Sequence, residues 1–196
     1  MATGPAAGPR YHGFGWEQSR WIVKTRLLQN CFADWQLDLP IPGFEVFDFR
    51  RNPRPEWREF EVFRSVYEDG LHRSADLVGV VSSRFSAKTR LSGHDVRRWI
   101  DGHPGKSVYF VHPWPQWSYS GFSVMSRFAH IHGSEAFLPA FQRVLDLAGI
   151  PLDFLHPTRD HNRNHGLSSY WFGNARFWDG IMTDLARGRP YETVLT

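Results

Sequence analysis

The chain has 196 residues, 41% of them hydrophobic and 22% charged, with a formal net charge of +3. That is enough for one domain, whose folding buries roughly 70% of the unfolded surface. The single Cys31 excludes an internal disulfide, no run of about 18 apolar residues is present to span a membrane, and no charged-then-apolar leader opens the chain, so a soluble, cytoplasmic protein is expected.

Residues 1–10, MATGPAAGPR, are small and Gly- and Pro-rich without an apolar period, and read as a flexible tail; residues 11–196 read as a single α/β domain. From Gly15 to Phe32, the apolar residues Trp16, Trp21, Ile22, Val23, Leu27 and Leu28 stand among polar ones with no interior Gly or Pro, which predicts a helix holding Cys31. Phe44 to Phe49, between proline-rich turns, predicts a short edge strand. Trp57, Phe60, Phe63, Tyr67 and Leu71 recur at helical steps behind Pro55 and Glu56, predicting a helix of about four turns.

ADLVGVVSSRF then supplies an apolar run of the kind found in a strand buried on both faces, and SVYFVHPW a second, from Ser107 to His112. Between them a helix is expected, capped at Ser92 and closed near Gly102. Strand, helix, strand outlines an α/β unit. Phe137, Leu138, Phe141, Val144, Leu145 and Ala148 form the apolar face of a later helix, regular from about Pro139 and stopped by Gly149; IPLDFLHP after it reads as extended. Near the C-terminus, Tyr170–Phe172 is a short apolar run, Gly173 breaks it, and Asn174 can cap a helix with Phe177, Trp178, Ile181, Met182 and Leu185 on its apolar face.

The densest polar group is HPTRDHNRNHG, holding His156, Arg159, Asp160, His161, Asn162, Arg163, Asn164 and His165. Three readings stay open: a solvated loop whose Asn and Asp side chains close local turns, a metal site built from His and Asp, or Arg159 and Arg163 holding a diphosphate while Asp160 or His161 acts as a base. No HExxH or CxxC supports the metal reading. SSRFSAKTR places Ser82, Ser83, Arg84, Lys88 and Arg90 just beyond the end of the strand Leu77–Val81, where α/β folds commonly bind ligands; a basic surface turn is the alternative.

VHPWPQWSYSG sets His112, Trp114, Trp117 and Tyr119 in a proline-stiffened segment whose aromatic faces could stack on sugars or bases, or close the core edge. No GxxxxGK[ST], GxGxxG or GxSxG occurs, which removes the usual nucleotide loops and the serine nucleophile elbow. Arg greatly outnumbers Lys, which suits a phosphate-bearing partner as well as an ordinary solvated surface.

Two blocks, PEWREFEVFRSVYEDGLHRSADLVGVVSSRF and NHGLSSYWFGNARFWDGIMTDL, resemble the bacterial capsular-polysaccharide-type glycosyltransferases, in which an acidic residue opens an aromatic-rich helix ahead of a strand and an Asn-containing loop precedes an apolar segment and a helix. The resemblance spans roughly residues 55–187 and rests on the order and character of the blocks. It implies a compact domain with a small mixed sheet flanked by helices, nucleotide-sugar-transferase-like, and polysaccharide biosynthesis from a sugar nucleotide and a saccharide or glycoconjugate acceptor.

By the same resemblance Glu59 or Glu61 matches the acidic residue, Arg84 the basic residue after the strand, and Asn164 the loop position. The expected site therefore has Asp160 or His161 as the base that deprotonates an acceptor hydroxyl. Glu59, Arg84, Lys88, His112, Trp114, Arg159, Asn164, His165 and Trp171 bind substrate, with Arg84, Lys88 or Arg159 stabilising the leaving diphosphate.

Two departures stand out: no nucleotide-binding strand is evident before residue 40, and no Asp-x-Asp pair occurs to hold a divalent metal on the diphosphate. The second leaves either a metal-independent site using Arg and Lys or a domain without transfer activity. The rivals are a non-catalytic carbohydrate- or partner-binding module, and a nucleic-acid-binding protein using Arg and exposed aromatics.

Overall fold

The computed structural model describes residues 23–116, 122–123, 126–127, 130, 137–156, 159 and 168–187. Strand β1 is Thr25–Cys31, where the helical reading of residues 15–32 fails; residues 1–22, with Trp16, Trp21 and Ile22, lie outside the described residues. Arg26, Leu27, Leu28 and Gln29 are all tolerable helix formers, but propensity yields here to a sheet that buries five consecutive residues, Leu27 to Cys31. This strand also corrects the expectation of none before residue 40, and moves Cys31 from a helix to a strand end.

The sheet contains β2 (Glu45–Asp48), β3 (Leu77–Ser82), β4 (Val108–Phe110) and β5 (Trp171–Gly173), in the order β2-β1-β3-β5-β4. β1 runs parallel to β2 and β3, with Asn30 opposite Phe47 on one side and Ser82 on the other; β5 runs antiparallel to β3 and β4. The result is the expected α/β domain with a mixed sheet.

Alternation sends successive side chains to opposite faces. On one face Leu27, Leu77, Val81 and Phe172 pack with Phe85, Val96 and Ile100, from helices α3 (Phe85–Thr89) and α4 (Gly93–Gly102). On the other, Leu28, Val78, Val80 and Trp171 pack with Val62, Phe63 and Val66 of helix α2 (Glu59–Glu68) and with Trp178 and Met182 of a C-terminal helix. The sheet is thus a middle layer, which is why β3 reads as an apolar run.

Helix α2 is shorter than its period predicts. A 3₁₀ turn, Pro55–Trp57, precedes it, Arg58 at φ 50° separates the two, and Gly70 at φ 71° cuts Leu71–Arg73 into a second 3₁₀ turn. Val62, Phe63 and Val66 face inward, whereas Phe60 is exposed. Helix α4 starts where expected: the Ser92 N–H donates to Asp95 Oδ2 at 2.9 Å and Ser92 Oγ accepts from the Asp95 N–H, a reciprocal cap.

Strand β4 is shorter than the predicted run to His112. Helix α5 (Phe137–Ala148) ends at Gly149, φ 65°, as expected; Leu145 is buried, Phe137, Leu138 and Phe141 are half-buried, and Val144 is exposed, while the Ala148 side chain lies outside the described ones. Residues 150–156 are not a strand; Gln142 ties them to α5 through the Leu152 carbonyl and the Phe154 N–H. Helix α6 (Ala175–Arg187) is capped as predicted, Asn174 Oδ1 accepting from the Phe177 N–H at 2.9 Å; Trp178 and Met182 are buried, and the Leu185 side chain is outside the described ones.

One ion pair inside this frame sets an acid limit. Both Glu61 carboxylate oxygens accept from Arg64, whose remaining nitrogen reaches Glu68 at 2.6 Å. Glu61 is fully buried, and the Arg64 hydrogen bonds hold its carboxyl below the usual range. A depressed folded pKa stabilises above the unfolded value of about 4.3 and is lost as pH falls through the folded one. Glu61→Gln should therefore cost on the order of 2 kcal/mol at pH 7, and the gap from wild type should close as pH drops below about 4. Urea unfolding at pH 7 and pH 3 checks this; a gap equal at both would mean the charge is not what stabilises.

Candidate functional site

The connection leaving β1 leads through helix α1 (Asp34–Leu37) to β2 on one side, while the chain leaving β3 continues through α3 and α4 to β4 on the other. Between the carboxyl ends of β1 and β3 the sheet therefore reverses its winding; ligands of open α/β sheets bind at such points. Asn30 and Ser82, paired in register, form the crevice's two lips.

The walls are built from buried carboxamides. Gln29 Oε1 accepts from the Ile41 N–H at 2.6 Å, and Gln36 Oε1 accepts from the N–H groups of Phe32 and Ala33. Gln36 Nε2 donates to Ser83 Oγ at 2.9 Å, joining the turn after β1 to the turn after β3. These side chains complete the hydrogen bonding of backbone that the loops leave without partners, which stiffens both lips. Burial pushes the Cys31 thiol up, so it is a poor nucleophile.

Beside Ser82, the hydroxyls of Ser82 and Tyr170 are 3.0 Å apart. Lys88 Nζ lies 5.7 Å from the Tyr170 ring centroid and 5.5 Å from that of Trp114, so an exposed ammonium is held between two aromatic faces. The Trp114 N–H donates to His112 Nδ1 at 3.1 Å, which makes that nitrogen an acceptor and leaves the ring proton on Nε2. Exposed Arg84 stands two residues past the end of β3. On the other side of the crevice, Ser169 Oγ donates to Glu59 Oε2 at 3.1 Å, linking the start of α2 to the segment that enters β5.

Five expected substrate-binding residues, Glu59, Arg84, Lys88, His112 and Trp114, thus belong to one edge of the sheet although they lie up to 55 positions apart in sequence. Trp171 departs from the expectation. It is 6% exposed and packs against Phe63, Phe177 and Trp178, so it is a core side chain rather than a ligand contact. Arg159 is exposed; Asp160, His161, Asn164 and His165 lie outside the described residues. Asn30, Gln36 and Ser169 were missed, because a lone amide or hydroxyl beside an apolar run carries no motif.

A larger hollow, about 410 Å³, opens at the opposite edge between Asp76, Lys106, Ser107 and Asn174. Asp76 there accepts from the Lys24 N–H, and Asn174 caps α6 while its own N–H donates to the Ser107 carbonyl. Among the described residues no three His, Cys, Asp or Glu side chains converge on a possible metal position. Nor is any described helix long and apolar enough to cross a membrane. No protein-family model, no curated protein and no solved structure matches this chain.

Proposed function

We propose that this chain is a glycosyltransferase-like protein of the bacterial capsular-polysaccharide type, which takes a sugar nucleotide at the carboxyl edge of its sheet and passes the sugar to a saccharide or glycoconjugate acceptor. The observation that carries this reading is Lys88, fixed between Tyr170 and Trp114 beside the reversal of winding. A cation held over aromatic faces offers charge to a diphosphate and a flat surface to a ring in the same place.

In this reading Lys88, with Arg84 and Arg159, stabilises the leaving diphosphate, and Trp114 supplies a stacking face. These side chains bring positive charge to the diphosphate in this reading. His112 is poorly placed as a base through Nδ1, which already accepts the Trp114 N–H. We assign deprotonation of the acceptor hydroxyl to Asp160 or His161, in the segment that leads in sequence to Ser169.

A thermal-shift and calorimetric series with sugar nucleotides tests the reading, because a ligand that binds the native state raises its apparent stability. At least one should bind, and Lys88→Ala should weaken it about tenfold or more, the loss expected when a charge-assisted contact is removed. Asp160→Ala should abolish transfer while leaving donor affinity within about twofold. Binding without turnover in wild type would leave a carbohydrate-binding module. No binding at millimolar concentrations would end the proposal, and salt-sensitive nucleic-acid binding in its place would favour the nucleic-acid alternative.

A further inference from the structure

The hollow of about 410 Å³ at the amino edge of the sheet has no part in the proposed transfer. Four strand ends meet there: Val23 precedes β1, Leu77 opens β3, Ser107 precedes β4, and Asn174 follows β5, which runs the other way. Gly105, at φ 84°, turns the chain so that Lys106 and Ser107 stand on the rim. The volume is that of a small-molecule site rather than of a trapped water.

The lining has two charged ends and an apolar wall. Asp76 uses Oδ2 to accept the Lys24 N–H at 2.9 Å and keeps Oδ1. Lys106 donates its backbone N–H to the Tyr109 hydroxyl, and its side chain is exposed. Among the described residues neither charge has an ion-pair partner, and the two do not pair with each other across the hollow. Next to Lys106 the remaining polar groups are donors: the Asn174 side-chain oxygen is taken by the Phe177 N–H, so its amide offers N–H alone, and Ser107, its carbonyl taken by the Asn174 N–H, offers a hydroxyl. The Tyr109 hydroxyl donates to the His103 carbonyl, which leaves Tyr109 to add ring surface to Val23 and Leu77.

Opposite charges that share a cavity without meeting suit a ligand that brings both. An ammonium would meet Asp76, a carboxylate would meet Lys106 with donors from Ser107 and Asn174, and a hydrocarbon side chain would cover the wall. Asp76 disfavours a phosphate, and Lys106 disfavours a bare cation. We infer that this hollow is a second ligand site, one that binds a free α-amino acid with a large apolar side chain. The inference does not depend on the proposed function, because Lys88 and Arg84 stand at the other edge of the sheet.

NMR titration of the full chain tests it, with phenylalanine, leucine and glycine as probes beside phenethylamine and 3-phenylpropionate, which carry the same ring as phenylalanine and one charge each. Phenylalanine and leucine should bind at millimolar concentrations or below, and glycine more weakly. Phenylalanine should bind about fivefold tighter than either one-charge analogue, the upper end for an exposed ion pair. Asp76→Asn retains an acceptor for the Lys24 N–H; it should bring phenylalanine down to the level of 3-phenylpropionate without weakening that acid. Lys106→Met should bring phenylalanine down to the level of phenethylamine without weakening that amine. A general structural loss would not produce this crossed pattern. No amino acid bound at millimolar concentrations, equal affinity for phenylalanine and either analogue, or phenylalanine binding unchanged in both variants overturns the inference. Sugar-nucleotide binding should be the same in both variants as in wild type, so the proposed function stands or falls separately.

Discussion

Trp178→Ala should remove about 4–5 kcal/mol of stability, the largest loss expected from any single truncation in α6. The side chain is fully buried, with its ring centroid 4.5 Å from that of Trp171 and 6.0 Å from that of Phe63, and its indole N–H donates to the Val78 carbonyl at 2.9 Å. Burial of so large a ring accounts for about 3–5 kcal/mol on truncation, and leaving a buried carbonyl without its donor adds roughly 1 kcal/mol or more. Natural domains have only about 5–15 kcal/mol in hand, so the variant sits near the edge of folding. Trp178→Phe separates the two contributions: it keeps most of the packing, loses the hydrogen bond, and should cost about 1–2 kcal/mol. Urea unfolding followed by far-UV circular dichroism measures both, and a loss under about 2 kcal/mol for the alanine variant would show that α6 is not anchored through this residue.

That α6 could be read in advance follows from its signals being local. Asn174 at the cap and the helical spacing of Phe177, Trp178, Ile181 and Met182 need no distant partner to be recognised, and the same holds for Ser92 and Asp95 at the start of α4. Strand β3 was equally legible, since a strand buried on both faces has to be a nearly continuous apolar run. β1 was not legible, because the strand pairing and loop backbone that bury its two polar residues lie outside the segment. Gln29 is satisfied by the backbone at residues 39 and 41, and Asn30 sits opposite Ser82. Nothing within TRLLQNC announces those partners.

The site divides in the same way. Arg84 and Lys88 were recognisable because a basic run directly follows a strand end, and His112 and Trp114 because prolines bracket the aromatics. Glu59 entered only through a family resemblance, and its partner Ser169 lies 110 residues away. Trp171 shows how an aromatic cluster misleads. Tyr170, Trp171 and Phe172 are consecutive, but strand alternation turns Trp171 toward Trp178 and Phe63, while Tyr170 reaches Ser82 and Lys88 on the other side of the sheet.

Gly79→Ala tests whether that division depends on the close approach of β5 to β3. These strands share a single paired position, Val78 opposite Gly173, so little backbone pairing holds their spacing. A Cβ on residue 79 would stand 2.3 Å from the Trp171 carbonyl oxygen, 2.4 Å from Phe172 Cδ1 and 3.0 Å from Phe172 Cα. Two of these three atoms are backbone in the middle of a layered core, so the strand itself has to move. The substitution should cost about 3 kcal/mol, at the upper end for overpacking. Because Tyr170 and Ser169 are continuous with β5, the same displacement should loosen the Ser82–Tyr170 hydrogen bond, the aromatic seat of Lys88 and the Glu59–Ser169 link together. Ligand affinity at the carboxyl edge should then fall at least as far as in Lys88→Ala, although Gly79 belongs to neither half of the site. Gly180→Ala in α6 is the control: no atom lies within 4 Å of its added Cβ, and an alanine there should stabilise by about 0.4–1 kcal/mol. Denaturant unfolding of the two variants beside ligand titration decides the matter, and a Gly79→Ala protein within 1 kcal/mol of wild type would mean that β5 yields without disturbing the site.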